Sequence, residues 1–272
     1  MKAVEIRNLS YTYPDGTPAL KDINVDILPH KRTVILGANG SGKTTLIYHL
    51  NGIFFPQEGK VTIGGLPLEK KNLEEIRRKL GLLFDNPDNQ LFSTTVYNDI
   101  AFGPRNLKLG EEEVEERVLR VLEAIGIKDL KERPPYNLSL GQKKKVAIAG
   151  LLAMEPEILV CDEPFSGLDP RSGEQLMGII NSLNSRGTTL VIVTHDVNMA
   201  YAWGEQVVIM KEGKILQEGD PSLLREEDLM KEASLETPLL VDVFQGTGFY
   251  PRTAREASRL IKFGLKEAYQ EE

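Results

Sequence analysis

The run Gly37-Ala38-Asn39-Gly40-Ser41-Gly42-Lys43-Thr44 constrains this chain more than any other stretch. It matches G-x-x-x-x-G-K-[ST], follows the apolar run Thr33-Val34-Ile35-Leu36 and precedes a helical pattern, so a strand, a glycine-rich turn and a helix are predicted in that order. Glycines let backbone N–H groups turn toward phosphate oxygens, and the helix N-terminus adds its dipole. Gly37, Asn39, Gly40, Ser41, Gly42 and Thr45 are the expected cradle. Lys43 supplies a compact positive charge for the β and γ phosphates, and Thr44 offers a hydroxyl to Mg²⁺.

Further continuous apolar runs, Gly81–Phe84, Ile158–Cys161 and Leu190–Val193, alternate with longer segments of helical period. That pattern predicts an α/β fold around a largely parallel sheet with helices on both faces. The N-terminal residues alternate as a half-buried strand would, and Val207–Met210 with Lys214–Gln217 read as a late hairpin. Between Phe84 and Ile158 the sequence turns helical and charged, and after Gly219 it becomes polar, punctuated by Pro221, Pro238 and Pro251. The expected division is a main domain over 1–220, with a helical subdomain at about 86–155, and a C-terminal appendage over 221–272.

A second half of the site is legible about a hundred residues after the cradle. Ile158–Cys161 runs into Asp162 and Glu163, a buried strand ending in adjacent carboxylates, suited to a Mg²⁺-associated acid and a general base. Leu190–Val193 leads to His195, at the sheet edge where open α/β folds place their ligands. Composition narrows the partners. With 33 Lys and Arg against 40 Asp and Glu, the net charge is −7, a poor basis for binding nucleic acid. The longest apolar run, Val146–Met154, has nine residues, about half a membrane span. Cys161 is the single cysteine, which fits a reducing compartment such as the cytosol.

Taken together these residues resemble the ATP-binding-cassette (ABC) ATPases over about residues 2–220. Leu138-Ser139-Leu140-Gly141-Gln142 is similar to the signature motif L-S-G-G-Q, Phe165–Asp169 to the D-loop, and Tyr13 to the adenine-stacking aromatic. Ser139 and Gln142 have capping-box spacing for a helix expected over Gln142–Met154. A finer likeness, carried by Asn86–Phe92, Ala101–Pro104 and Gly141–Gly150, is to the energy-coupling-factor branch, which drives vitamin and transition-metal-ion uptake. The resemblance implies a P-loop cassette with a parallel core, a small antiparallel β subdomain and a helical subdomain. It implies an ATPase that uses ATP and Mg²⁺ and closes as a dimer with a second cassette. It also implies a transmembrane coupling protein and a substrate-binding membrane subunit, at the cytoplasmic face of the membrane. Lys43, Thr44, Asp162, Glu163, His195 and Tyr13 would come from one subunit, and Ser139, Gly141, Gln142 and Asp169 from the other. The appendage would aid dimerisation.

Two positions depart from the pattern. Leu140 replaces a glycine of the signature, and Asp85 stands where the Q-loop usually has Gln. Asp85 is either a ligand that approaches Mg²⁺ or the start of a turn, with Gln90 or water taking over the amide's place. The run Lys143–Lys145 is expected to be a solvated helix face without function, Cys161 an inert core residue, and one of Tyr11 and Tyr13 a sheet-packing residue. Two rival functions are a non-hydrolysing ATP-binding partner in a heterodimer, which predicts loss of the base or the histidine, and a soluble cassette ATPase unlinked to transport.

Overall fold

Strands covered on both faces read as unbroken apolar runs, and those of this chain all fall in one sheet. The structure is a computed structural model that describes residues 2–268, with side chains as far as Lys262. Strands β1 (Val4–Thr12) and β2 (Pro18–Ile27) pair antiparallel, and β3 (Arg32–Leu36) opens the central sheet. Strands β4 (Glu58–Ile63) and β5 (Leu66–Pro67) return to the first sheet, whose order is β2-β1-β4-β5. The central sheet is completed by β6 (Leu80–Leu83), β7 (Ile158–Asp162), β8 (Thr189–Thr194), β9 (Gln206–Lys211) and β10 (Lys214–Gly219). Its order is β10-β9-β3-β8-β7-β6, with parallel pairing except in the β9–β10 hairpin.

Strand periodicity divides the core into two layers. Val34, Leu36, Leu159, Cys161 and Ile192 face a helical layer: α3 (Val96–Asn106), α4 (Glu111–Ile125), α5 (Leu140–Leu152), α6 (Pro170–Asn184) and α7 (Val197–Trp203). Ile35, Val160, Val191, Val193 and Val208 face the other way, onto Ile6, Ile23 and Val25 of the antiparallel sheet, and onto α1 (Lys43–Leu50) and α2 (Leu73–Lys79). Strand periodicity predicts helices on both faces and the resemblance adds a small antiparallel subdomain; that four-stranded sheet covers much of one face. A β-sheet face meets the same need to bury apolar surface, and sequence periodicity within the central strands does not distinguish the two covers. Cys161 is buried, its thiol pushed up to about 12 by burial.

The helical stretch carries its own signals. Thr95 caps α3, accepting from Asn98 N–H at 3.2 Å, the acidic triplet Glu111–Glu113 opens α4, and Gly126 at φ 72° ends it. The expected helix over Gln142–Met154 begins and ends two residues earlier, because Ser139 is the capping residue itself and Leu140 the first helical position. Beyond residue 220, α8 (Glu227–Glu232), α9 (Leu239–Val243) and α10 (Ala254–Ala268) follow. Leu224, Leu229, Met230 and Ala233 enter the helical layer of the core, and the Arg252 guanidinium donates to the carbonyls of Tyr201 and Gly204. The start of the appendage is therefore packed onto the main domain.

Candidate functional site

The C-terminal ends of β3, β7 and β8 converge, and the turns that leave them build the site. After Leu36 the chain enters a loop that tolerates only glycine at its first position, because a Cβ on Gly37 would lie 2.4 Å from the Met210 carbonyl oxygen. Gly42, at φ 100°, caps α1 without a side chain. The first-turn N–H groups of α1 are thus left for a ligand, as in an anion-binding helix N-terminus. Ser41 Oγ is buried with no protein partner, a second sign that a polar ligand belongs here.

The Lys43 ammonium folds back onto the carbonyls of Gly37 and Ala38, at 2.7 and 3.0 Å. Burial lowers its pKa, and the carboxylates of Glu163 and Asp162 pull it back up. Thr44 Oγ1 donates to Asp162 Oδ2 at 2.8 Å. Burial pushes the Asp162 carboxyl up to about 6, against the Thr44 hydrogen bond, with the charges of Asp85 and Glu163 adding to the rise. A buried carboxylate facing two others is an environment short of positive charge.

Tyr13, Asn39, Gly40, Ser41, Gly42, Lys43, Thr44, Thr45, Asp85, Asp162 and Glu163 line one cavity of about 580 Å³. The Tyr13 hydroxyl and Thr45 Oγ1 are 2.6 Å apart, which fixes the ring at the cavity wall, while Tyr11 is buried and stacks on Phe54. So Thr45 anchors Tyr13 with its side chain. Asp85 both starts a turn, accepting from Asn86 N–H at 2.6 Å, and lines the cavity. Gln90 is turned away, its Oε1 accepting from Phe84 N–H at 3.3 Å.

Glu163 adopts a left-handed backbone, φ 40°, unusual for a residue with a side chain. Its N–H donates to the Val193 carbonyl at 2.9 Å. Its carboxylate accepts from Thr194 Oγ1 at 3.0 Å and from His195 Nδ1 at 2.7 Å. His195 borders a shallow adjoining cleft with Asn39, Asp85, Glu163 and Leu140.

The remaining candidates lie elsewhere. Ser139, Gly141, Gln142 and Asp169 line neither of these cavities. Ser139 and Gln142 form a reciprocal capping box, with Ser139 Oγ accepting from Gln142 N–H and Gln142 Oε1 accepting from Ser139 N–H. Asp169 caps α6 through Ser172 N–H at 3.0 Å, and Gly141 packs so closely over Ser172 that a Cβ would lie 3.0 Å from its hydroxyl. Leu140 covers Gly167, where a Cβ would come within 2.8 Å of its Cδ2. Ser139 and Asp169 are exposed and Gln142 half-buried, apart from the cradle cavity. A larger cleft of about 900 Å³ opens beside Ile158 and Thr189, at the opposite ends of β7 and β8, where open α/β sheets do not place ligands.

The expectation of a solvated Lys143–Lys145 is overturned at its centre. Lys143 pairs with Asp88 at 2.7 Å, but Lys144 is only 1% exposed and donates to three backbone carbonyls. The signal was present: Lys144 falls three, four and seven residues before Ala147, Ile148 and Leu151, on the apolar stripe of α5.

For a divalent cation, the donor set is a hydroxyl and a carboxylate 2.8 Å apart, with the carboxylates of Asp85 and Glu163 also on the cavity wall. Among the described residues no three His, Cys, Asp or Glu side chains converge into a metal cluster. Such a set fits a hard ion that takes its other oxygens from phosphate and water, as Mg²⁺ does.

Comparison with known proteins follows the same lines. The ABC transporter family profile matches residues 20–166. The energy-coupling factor transporter ATP-binding protein EcfA of Carboxydothermus hydrogenoformans is 46% identical over 263 residues, covering 96% of this chain and 97% of its own. Among solved structures, cbiO1 of Clostridium perfringens, described as part of the ABC transporter complex cbiONQ, shares 39% identity. It covers 90% of this chain and 99% of its own, with a TM-score of 0.75. A dimeric ATP-binding cassette in a post-hydrolysis state, bound to ADP and Pi, shares 31% identity over 80% of this chain and 98% of its own, with a TM-score of 0.73.

Proposed function

The chain belongs to the ABC transporter ATPases of the energy-coupling-factor type, and from that premise we propose how its residues divide the work of ATP hydrolysis. It is the ATP-binding, ATP-hydrolysing subunit of an importer of that type. The observation that carries the mechanism is the junction of cradle and carboxylates: Thr44 bonded to Asp162, and Glu163 bonded to His195, around one cavity.

The cradle N–H groups and Lys43 bind the β and γ phosphates, which requires the ammonium to leave the carbonyls of Gly37 and Ala38. Tyr13 offers its ring to the adenine. Thr44 and Asp162 would hold Mg²⁺, with Asp85 on the wall of the same cavity, and the ion would neutralise charge developing on the phosphates. Glu163 accepts the proton of the attacking water as general base. His195, oriented by its Nδ1–H donation to Glu163, presents its other nitrogen toward the γ-phosphate. Ser139, Gly141, Gln142 and Asp169 serve the site of a second ATPase subunit, since they lie outside their own cradle.

The partners follow from the unpaired surfaces. Phe92 and Phe102 are exposed, with rings edge to face at 4.8 Å, and offer apolar surface to a transmembrane coupling protein. Among the described residues no helix is long and apolar enough to cross a membrane, so attachment through that partner and its substrate-binding subunit makes the chain peripheral at the cytoplasmic face. Leu239, Val243, Phe249 and Tyr250 are exposed on the appendage 221–272 and supply apolar area for association of two ATPase subunits. Neither rival reading gains support, because both Glu163 and His195 are present and the relatives are transporter subunits.

Replacing Glu163 with Gln tests the mechanism. The amide keeps the shape and removes the base, so ATP turnover should fall by about 10²–10⁴-fold while ATP binding persists and an ATP-bound dimer accumulates. Turnover at the parent rate would remove Glu163 from that role.

A further inference from the structure

Lys144 is the largest fully buried side chain of the protein, and an ammonium in that position needs a reason. Its Nζ donates to the carbonyl oxygens of Glu163 at 3.0 Å, Pro164 at 3.0 Å and Ser166 at 2.9 Å. An ammonium has three N–H donors, and here all are used on backbone carbonyls. It takes part in none of the ion pairs among the described residues; burial lowers its pKa, and the nearby acids, Asp85 and Glu163 first, oppose that. Holding such a charge out of water costs several kcal/mol, which three carbonyl dipoles offset only if their geometry is kept.

The geometry kept is that of the turn carrying the proposed base. Glu163 is left-handed, a conformation unfavourable for a residue with a side chain that persists only where the surroundings over-determine it. Its N–H is fixed by Val193, its carbonyl by Lys144 and by Ser166 N–H at 3.2 Å. The Lys144 backbone belongs to α5, whose N-cap is Ser139 in the signature segment. One side chain thus joins the helix that serves a second subunit's nucleotide to the turn that serves the subunit's own.

We infer that Lys144 is a positioning residue for hydrolysis: its ammonium holds the Glu163–Ser166 turn against α5, so that the carboxylate of Glu163 stays aimed while the signature helix moves. The inference rests on the reading of Glu163 as general base.

The test uses the full chain in its assembled transporter, with kcat normalised to titrated ATP sites. Lys144→Met removes all donors at similar length and should lower kcat by about 10²-fold, with KM and the Kd of ATP within about twofold of the parent. Lys144→Arg keeps the charge and donors and should recover at least about a tenth of parental kcat, a rescue that mere filling of space would not give. Lys144→Gln, with two donors, should fall between them. In a Glu163→Gln background, Lys144→Met should change the residual rate by less than about threefold, because the two side chains act as a unit.

Parental kcat in folded Lys144→Met, a loss of ATP affinity that matches the loss of kcat, or losses that multiply with Glu163→Gln would each overturn the inference. So would failure of both Lys144→Met and Lys144→Gln to fold, which would make the ammonium a folding element. A parental rate in Glu163→Gln overturns the base assignment and this inference with it. A lost rate there beside an unchanged Lys144→Met overturns the inference alone.

Discussion

Asp162 illustrates what the site costs a single residue. Its carboxyl ordinarily titrates at 3.8 and is pushed up to about 6 in the folded chain, chiefly by burial. Between those values the folded protein holds a proton that the unfolded chain has lost, so stability falls as pH rises from about 4 to about 6, by about 3 kcal/mol in all. Asp162→Asn removes that penalty. With EDTA present, the variant should melt above the parent at pH 7.5, by a margin that narrows as the pH falls to 4.5. Melting curves that stay parallel across that range would contradict the origin of the penalty. Wild-type protein should instead regain the lost stability when a divalent cation and nucleotide occupy the cavity, at the expense of nothing but their free concentration.

Helix α5 shows one element serving three ends. Its N-terminus is fixed by the Ser139–Gln142 capping box, its buried stripe of Val146, Ala147, Ile148 and Leu151 packs into the helical layer, and Lys144 reaches the base turn. Loss of the cap alone should be modest: Ser139→Ala should lower unfolding free energy by about 1 kcal/mol in denaturant melts. A bulky cation at the same exposed position should act differently. Ser139→Arg should abolish turnover while the monomer's affinity for ATP stays at the parental value. Parallel loss of both would show that the signature turn touches its own cradle's nucleotide.

At the scale of the whole molecule, two groups of polar residues stand apart. The cradle cavity gathers Lys43, Thr44, Asp162 and Glu163, while Ser139 and Asp169 are exposed and Gln142 half-buried beyond it. Such an arrangement makes assembly part of the chemistry. ATPase rate should therefore rise more than linearly with protein concentration through the dimerisation range, and a strictly first-order dependence would argue for a complete site in one chain.

Much of this was legible in order along the chain. The cradle, the carboxylate pair, the histidine and the signature cap depend on local geometry, a turn after a strand or a cap before a helix, and local geometry is written in neighbouring residues. Even the placing of Asp162 and His195 at one edge follows from parallel strands that all end on the same side. Lys144 was misread because a local charge run suggests water, whereas burial depends on which carbonyls the fold brings to the ammonium. The left-handed Glu163 and the Tyr13–Thr45 contact across 32 residues were likewise settled only in three dimensions. Sequence by itself determined the elements and the reactive groups at their ends, since hydrophobic period and turn chemistry are properties of adjacent residues. Tertiary structure alone decided which groups share a cavity, because a contact between distant segments is fixed by how their buried faces pack and by which polar groups must then find partners inside.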